Sequence, residues 1–575
     1  MRRAIRIRLR FLAGILFLLA ALIILRLYFV QIVYGGNYAL RAEKQYISAS
    51  QELYNRGSIY FTRKDGSLLS AAALSTGFTI AMNPQQVRDA VAAYEGVANY
   101  IQVDRDEFMA MAAKNEDPYE VVARKVPEEK GRAIEALGLP GIRVERERWR
   151  SYPAGQQAAQ SIGFVAYDND NALAGRFGLE RYYEYALSRD NEGLFSNFFA
   201  ELFANLDSVV VDAREARSGD LVTTIEPIVA EKLRKVLLQV NAEYGSAETA
   251  GIIMDPVTGE IIALDTVPSF DPNDFANGDP AHFGNPLVEH QYEFGSIMKA
   301  LTMAAGLDAG VIAPDSTYND TGCMTLNNKK FCNYDLKARG VTPMQEILSQ
   351  SLNMGATYIA LRTGRERFRE YFKALGMGEE TGIDLPSEVP GNIRNILDSP
   401  RDIEYATASF GQGVAQTPIE MVKALGALAN DGRVVTPHLV RAVKLENGIE
   451  KKLSWGEPER VFSAAAVEDT TRMLVKVVDT KLADGTVKIP EMTVAAKTGT
   501  AQVPGPGGKY YENLYLHSFF GYFPAYEPRF IILLYTRQPQ GVQYASETLT
   551  HPFMDLTHFL INYYEIPPDR ATIAT

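Results

Sequence analysis

Residues 11–33 constrain this chain more than any other stretch. FLAGILFLLAALIIL (11–25) contains no polar side chain, Arg26 interrupts the run, and LYFVQIV carries it on to Val33. Twenty-three residues are long enough to cross a hydrocarbon layer of about 30 Å as a helix. Five arginines, Arg2, Arg3, Arg6, Arg8 and Arg10, precede the run. Basic residues are retained on the cytoplasmic side of a membrane, so a cytoplasmic tail over 1–10 is expected, with everything after Val33 outside. A cleaved signal peptide is the rival reading. No small-x-small cleavage site follows the apolar run, which favours a retained single-pass anchor. Arg26 is expected to snorkel to the outer interface, or else to mark contact with a partner inside the membrane.

The rest of the chain reads as globular. Of 575 residues, 46% are hydrophobic and 22% charged, which suits two to four packed domains. The net charge of −12 conceals an asymmetry: removing the five leading arginines from the 58 basic residues leaves 53 against 70 acidic ones, or −17. A body this acidic does not suit nucleic acid, whose phosphates need clustered cations. Six histidines and two cysteines, without tight clustering, give no basis for a metal site or a cofactor. Cys323 and Cys332 bracket MTLNNKKF, two short strand-like stretches around a polar turn. In an oxidising compartment a cross-strand disulfide fits this spacing; two unpaired thiols are the alternative.

The expected fold class is α+β. Residues 35–225 alternate short β-type runs, such as GFTIAMN (77–83), with helical stretches around 86–103 and 106–112. FSNFFAELF (195–203) is apolar and aromatic, either a packed helix or an exposed interaction element. From 226 the character changes. Residues 228–244 have helical period, and 249–264 read as a hairpin around a Pro-Val-Thr-Gly turn. Helices are expected from about 296 to 310 and within 341–377 and 417–431. Strands are expected over 493–502, 517–523 and 530–537, with a Gly-Pro-rich loop at 504–508. Strands first, helices between and strands last predict one sheet completed by both ends of a domain spanning 226–575.

Three motifs in this region carry chemistry. Ser296 is the only serine followed three residues later by lysine, Lys299. Ser351 alone is followed two residues later by asparagine, Asn353, and Lys497-Thr498-Gly499-Thr500 contains the only KTG. Each motif alone is weak, but single copies in the order S-x-x-K, S-x-N, K-T-G make a joint signal. Residues three apart on a helix share a face, so the Lys299 amine can reach the Ser296 hydroxyl. A serine is a poor nucleophile without a base, and lysine serves as one when burial and a nearby cation such as Lys497 make its neutral form accessible. Ser351 is suited to pass the proton to a leaving amine. Asn353 is suited to hold Lys299 and a substrate amide. A strand carrying Lys497, Thr498, Gly499 and Thr500 can pair with an extended peptide and hold a carboxylate. The backbone N–H groups of Ser296 and Thr500 are the expected oxyanion hole. His517 reads as structural, and no G-x-S-x-G elbow supports a Ser-His-Asp triad.

With these motifs in place, the chain resembles the class B penicillin-binding proteins, monofunctional peptidoglycan D,D-transpeptidases. NRGSIYFTRKDGSLLS (55–70), YPAGQQAAQSIGFV (152–165) and GLERYYEYAL (178–187) are similar to the family's non-catalytic pedestal. GDLVTTIEP (219–227), MDPVTGEIIAL (254–264), ASFGQGVAQTP (408–418) and SFFGYFPAYEPRF (518–530) are similar to its transpeptidase landmarks. The resemblance implies an elongated pedestal of the dimerisation type over 35–225 and a penicillin-binding, serine β-lactamase-like domain over 226–575, an antiparallel sheet flanked by helices. It implies that Ser296 is acylated by D-Ala-D-Ala stem peptides and by β-lactam antibiotics. It implies a bacterial inner-membrane location and a membrane partner of the SEDS glycan-polymerase family among other division or elongation proteins. A division role is expected over an elongation role. A D,D-carboxypeptidase and a non-enzymatic wall-synthesis scaffold are the other readings. The sequence departs from the family pattern at Phe61 and Glu226, where aspartates are usual, and at Phe294, where proline is common.

Overall fold

A computed structural model describes residues 56–114, 116–167, 173–188, 219–445, 448–505 and 509–570. The apolar run at 11–33 with its arginines, the aromatic run at 195–203 and residues 506–508 of the Gly-Pro-rich loop lie outside them. Among the described residues no helix is long and apolar enough to cross a membrane.

The chain forms two compact units, and it passes between them more than once. Of the described residues, the smaller takes 56, 74–114, 116–150, 167 and 173. Its strand residues 77–82 pair antiparallel with Glu120–Pro127. Helices Ala90–Ala98 and Arg105–Ala112 begin where Asp89 and Asp104 accept hydrogen bonds from the first free backbone N–H groups. Phe78, Ile80, Met82, Val97, Phe108, Val126 and Ile134 form its core.

The larger unit takes 57–73, 151–166 and 174–570, and has its own core. Ile59–Thr62 pairs in parallel with Gly219–Thr223, which pairs antiparallel with Val440–Leu445. Helix α1 (Pro227–Tyr244) follows. Glu226 caps it, its carboxylate accepting from Val229 N–H at 2.7 Å and from the Tyr563 hydroxyl at 2.8 Å. Proline at the first helical position and the left-handed Gly245 at the end complete the boundaries. Strands β1 (Glu248–Met254) and β2 (Ile261–Val267) form the expected hairpin and are almost wholly buried. A tight turn at Gly295–Ile297 leads into helix α2 (Met298–Asp308). Strands β3 (Cys323–Leu326) and β4 (Lys329–Cys332) make a small hairpin, and helix α3 (Asn353–Thr363) comes after it. Helix α4 (Ala464–Thr480), absent from the sequence reading, precedes strands β5 (Ala495–Pro504), β6 (Tyr510–Phe523) and β7 (Phe530–Arg537). Helix α5 (Thr550–Tyr564) closes the unit.

The main sheet is antiparallel with the order β5-β6-β7-β1-β2. The hairpin that comes first along the chain therefore docks on the last strand, so both ends of the domain complete one sheet. Sequences such as FIILLYT in β7 are continuous in apolar residues because such a strand is covered on both faces. The sheet leaves β5 as an edge, and β5 carries the Lys497–Thr500 motif.

Candidate active site

Gly295 has φ +64°, in the left-handed region that favours glycine. A Cβ there would lie 2.9 Å from the Thr500 carbonyl oxygen, so only glycine lets β5 pass this close to the start of α2. Gly499 faces the same constraint from the strand side. Its Cβ would sit 2.3 Å from Ser518 Oγ and 2.5 Å from the Phe294 carbonyl oxygen. Ser518 donates to that carbonyl at 2.8 Å, fixing the residues before Ser296 to β6.

Ser296 is half-buried in the turn that opens α2. Lys299 Nζ lies 3.0 Å from Ser296 Oγ, 3.2 Å from Ser351 Oγ and 2.6 Å from the Ser351 carbonyl oxygen. Ser351 adopts φ +56°, which is unfavourable for a residue with a side chain. That conformation presents both its carbonyl and its hydroxyl to Lys299, an instance of strain held at a working site. From the opposite side Lys497 Nζ donates to Ser351 Oγ at 3.2 Å and to the Thr498 carbonyl at 3.0 Å.

Both lysines are buried, with 1% and 3% of their surface exposed. Burial pushes Lys299 well below the usual lysine range, and the neighbouring Lys497 charge pushes it further down. Burial alone brings Lys497 down to about 7. Among the described residues no carboxylate shares in either hydrogen-bond set. The arrangement places an amine whose neutral form is made more accessible beside a hydroxyl, with a second hydroxyl that touches both amines. Groups so arranged can serve as nucleophile, base and relay along one proton path.

The structure brings Ser296, Lys299, Ser351 and Lys497 into one hydrogen-bonded network, with Gly499 and Thr500 packed beside it. Thr498 and Thr500 are half-buried on β5, and Thr500 Oγ1 accepts from Ala545 N–H at 3.0 Å. Asn353 behaves differently from the sequence expectation. Its amide donates to the Cys332 carbonyl at 2.9 Å, and no hydrogen bond joins it to Lys299. Cys323 and Cys332 form a disulfide that closes the β3–β4 hairpin, so the carbonyl holding Asn353 belongs to a cross-linked element. His517 is buried, bonded to Thr548 and to the Gln543 carbonyl, and burial lowers it to about 4. Its contacts are those of a packing residue. Phe294 is fully buried where proline is common in the resembled family.

No motif in the sequence marks Ser518, Gly411 or Ala545. Gly411, at φ +79°, needs glycine because a Cβ would lie 2.2 Å from the Gly295 carbonyl oxygen. Ser518 and Gly411 sit in stretches that resemble family landmarks and Ala545 does not, and nothing local in the sequence says what any of them touches.

The family described as penicillin binding protein transpeptidase domain matches residues 249–555, and that described as penicillin-binding protein dimerisation domain matches 53–193. Stage V sporulation protein D of Bacillus subtilis is 28% identical over 546 residues, covering 92% of this chain and 81% of that protein. Peptidoglycan D,D-transpeptidase FtsI of Escherichia coli K12 is 24% identical over 574 residues, covering 98% and 93%. Among solved structures, penicillin binding protein 3 of Mycobacterium tuberculosis in complex with aztreonam has a TM-score of 0.64 at 25% identity, over 74% of this chain and 92% of that one. Penicillin binding protein 2X of Streptococcus thermophilus, at 19% identity, shares the fold with a TM-score of 0.70 over 89% of this chain and 80% of that one.

Proposed function

The chain belongs to the penicillin-binding protein transpeptidase family, and on that premise we propose how its own residues carry out peptidoglycan D,D-transpeptidation. The observation that carries the mechanism is the contact of Lys299 Nζ with both Ser296 Oγ and Ser351 Oγ within one buried network.

Ser296 Oγ attacks the carbonyl of the penultimate D-Ala of a stem peptide, and its proton passes to neutral Lys299. Charge on the carbonyl oxygen is stabilised by the backbone N–H groups of Ser296 and Thr500. The C–N bond breaks as Ser351 delivers a proton to the departing D-Ala nitrogen and is resupplied from Lys299. The amine of a second stem then attacks the ester, loses a proton to Lys299, and forms the cross-link as Ser296 regains its own. Asn353 and the β5 edge hold the donor peptide, while Lys497, Thr498 and Thr500 hold its terminal carboxylate. A β-lactam acylates the same Ser296 oxygen, and its leaving nitrogen stays tethered.

We assign the chain to septal rather than lateral wall synthesis. Its similarity to FtsI along nearly the whole length supports this reading. Residues 11–33 serve as a single-pass anchor in a bacterial inner membrane, with the catalytic domain outside. A SEDS-family glycan polymerase is the membrane partner this arrangement suits, with Arg26 a point of contact. The test of the chemistry is labelling with a fluorescent penicillin. Wild type is expected to label covalently and Ser296→Ala not at all; equal labelling of both rejects the nucleophile. Rapid loss of label from wild type would indicate a hydrolase instead of a transferase.

A further inference from the structure

Glu293 stands three residues before Ser296, half-buried, and takes no part in the hydrogen bonds around Lys299. Its Oε1 accepts from Gly413 N–H at 3.0 Å and its Oε2 from the Tyr510 hydroxyl at 2.9 Å. Both partners lead back to the nucleophile by separate routes. Gly413 closes the turn whose Gly411 carbonyl accepts from Gly295 N–H at 3.2 Å. Tyr510 opens β6 and lies across from Pro504, at the far end of the strand that carries Lys497–Thr500. Gly295 in turn packs directly against the Thr500 carbonyl. One carboxyl group therefore joins three segments that converge on Ser296.

This carboxyl has no cation partner among the described residues. Burial pushes it up to about 7, with the Tyr510 and Gly413 hydrogen bonds pulling the other way. Leaving an acid in such a place costs stability that a neutral side chain would not cost. A structure that tolerates the cost gains something specific from the two hydrogen bonds.

We infer that Glu293 is a positioning residue for acyl transfer: by clasping Tyr510 and Gly413 it fixes the spacing between Ser296 and β5. The inference rests on the reading of Ser296 as the acylated nucleophile. In that reading Thr500 of β5 supplies one donor of the oxyanion hole and Ser296 the other, so their spacing sets how well the developing oxyanion is held. Such geometry is exacting, since a displacement of about 1 Å at a reacting centre can cost on the order of a hundredfold in rate.

The experiment uses the full-length chain and the rate of acylation by fluorescent penicillin at varied concentration. Glu293→Ala is expected to lower the saturating rate about tenfold while the half-saturating concentration changes little, as for an interaction that matters only in the transition state. Glu293→Gln is expected to recover most of the rate, because its carboxamide can accept from Gly413 N–H and donate to the Tyr510 oxygen. Tyr510→Phe gives an intermediate loss, and the double variant Glu293→Ala/Tyr510→Phe is no slower than Glu293→Ala alone. A wild-type rate in Glu293→Ala, strictly additive losses in the double variant, or no recovery by glutamine overturns the inference. If Glu293→Ala does not fold, Tyr510→Phe and Glu293→Gln decide: a wild-type rate in Tyr510→Phe overturns it. Failure of the underlying reading looks different, because Ser296→Ala would then label as strongly as wild type.

Discussion

Ser351 is where the two lysines meet, and the chemistry at residue scale follows from how little solvent reaches them. A lysine whose pKa is depressed in the folded state is neutral at a pH where it is charged in water. Acylation should therefore rise with pH as Lys299 loses its proton. Lys497→Gln removes the neighbouring charge, so Lys299 regains basicity and the rising limb of the pH–rate profile moves to higher pH; penicillin acylation between pH 5 and 9 measures this. The same burial has a stability consequence with a definite sign. A lysine at about 7 when folded and near 10.4 when unfolded binds fewer protons folded than unfolded between those values, so folding stability rises with pH there. Lys497→Met should then raise the unfolding midpoint most at or below pH 7, with the gain fading towards pH 10. Thermal unfolding across that range checks it.

At the scale of elements, the fit between β5 and the start of α2 depends on glycine. Gly499→Ala places a methyl group against Ser518 Oγ and the Phe294 carbonyl, and overpacking of this kind costs roughly 1–3 kcal/mol. The expected result is a lower unfolding midpoint together with loss of penicillin labelling, because the strand that moves carries Lys497, Thr498 and Thr500, to which we assign the substrate carboxylate. At the other end of the domain, Glu226 holds the first turn of α1 and the Tyr563 hydroxyl of α5. Glu226→Ala should cost about 1 kcal/mol, the usual size for a lost N-cap. Denaturant unfolding measures it, and labelling of Ser296 in the folded fraction should be unchanged. The elements themselves were largely legible: α1, the β1–β2 hairpin and the three late strands lie close to where periodicity places them. Helix α4 was not read, although its buried Val467, Leu474 and Val478 recur at helical spacing. The β5 and β6 strands extend beyond the sequence reading, because pairing with a neighbour continues through residues with no strand signal of their own.

For the whole molecule, the two cores share no residue and are both built within the described chain. A chain beginning at residue 56 is therefore expected to fold, to label at Ser296 and to leave the membrane fraction; fractionation followed by labelling tests this. A reporter fused at the N-terminus should prove cytoplasmic, and an extracytoplasmic reporter would reverse the proposed topology. The membership of segment 57–73 in the larger unit could not be read along the chain, since Ile59 and Tyr60 pair with Leu221 and Val222, far away in sequence.

The sequence by itself determined which groups are candidates for the chemistry. Side-chain chemistry and spacing are local properties, so Ser296, Lys299, Ser351 and Lys497 could be singled out from single-copy motifs, and the apolar run from its length. The tertiary structure decided what those groups can do. Burial of the lysines, the left-handed Ser351, the attachment of Asn353 to Cys332 and the bonds of Glu293 to Gly413 and Tyr510 all depend on contacts between residues far apart in sequence. Desolvation and hydrogen-bond geometry are set by whatever the fold brings alongside, and no window of sequence contains that.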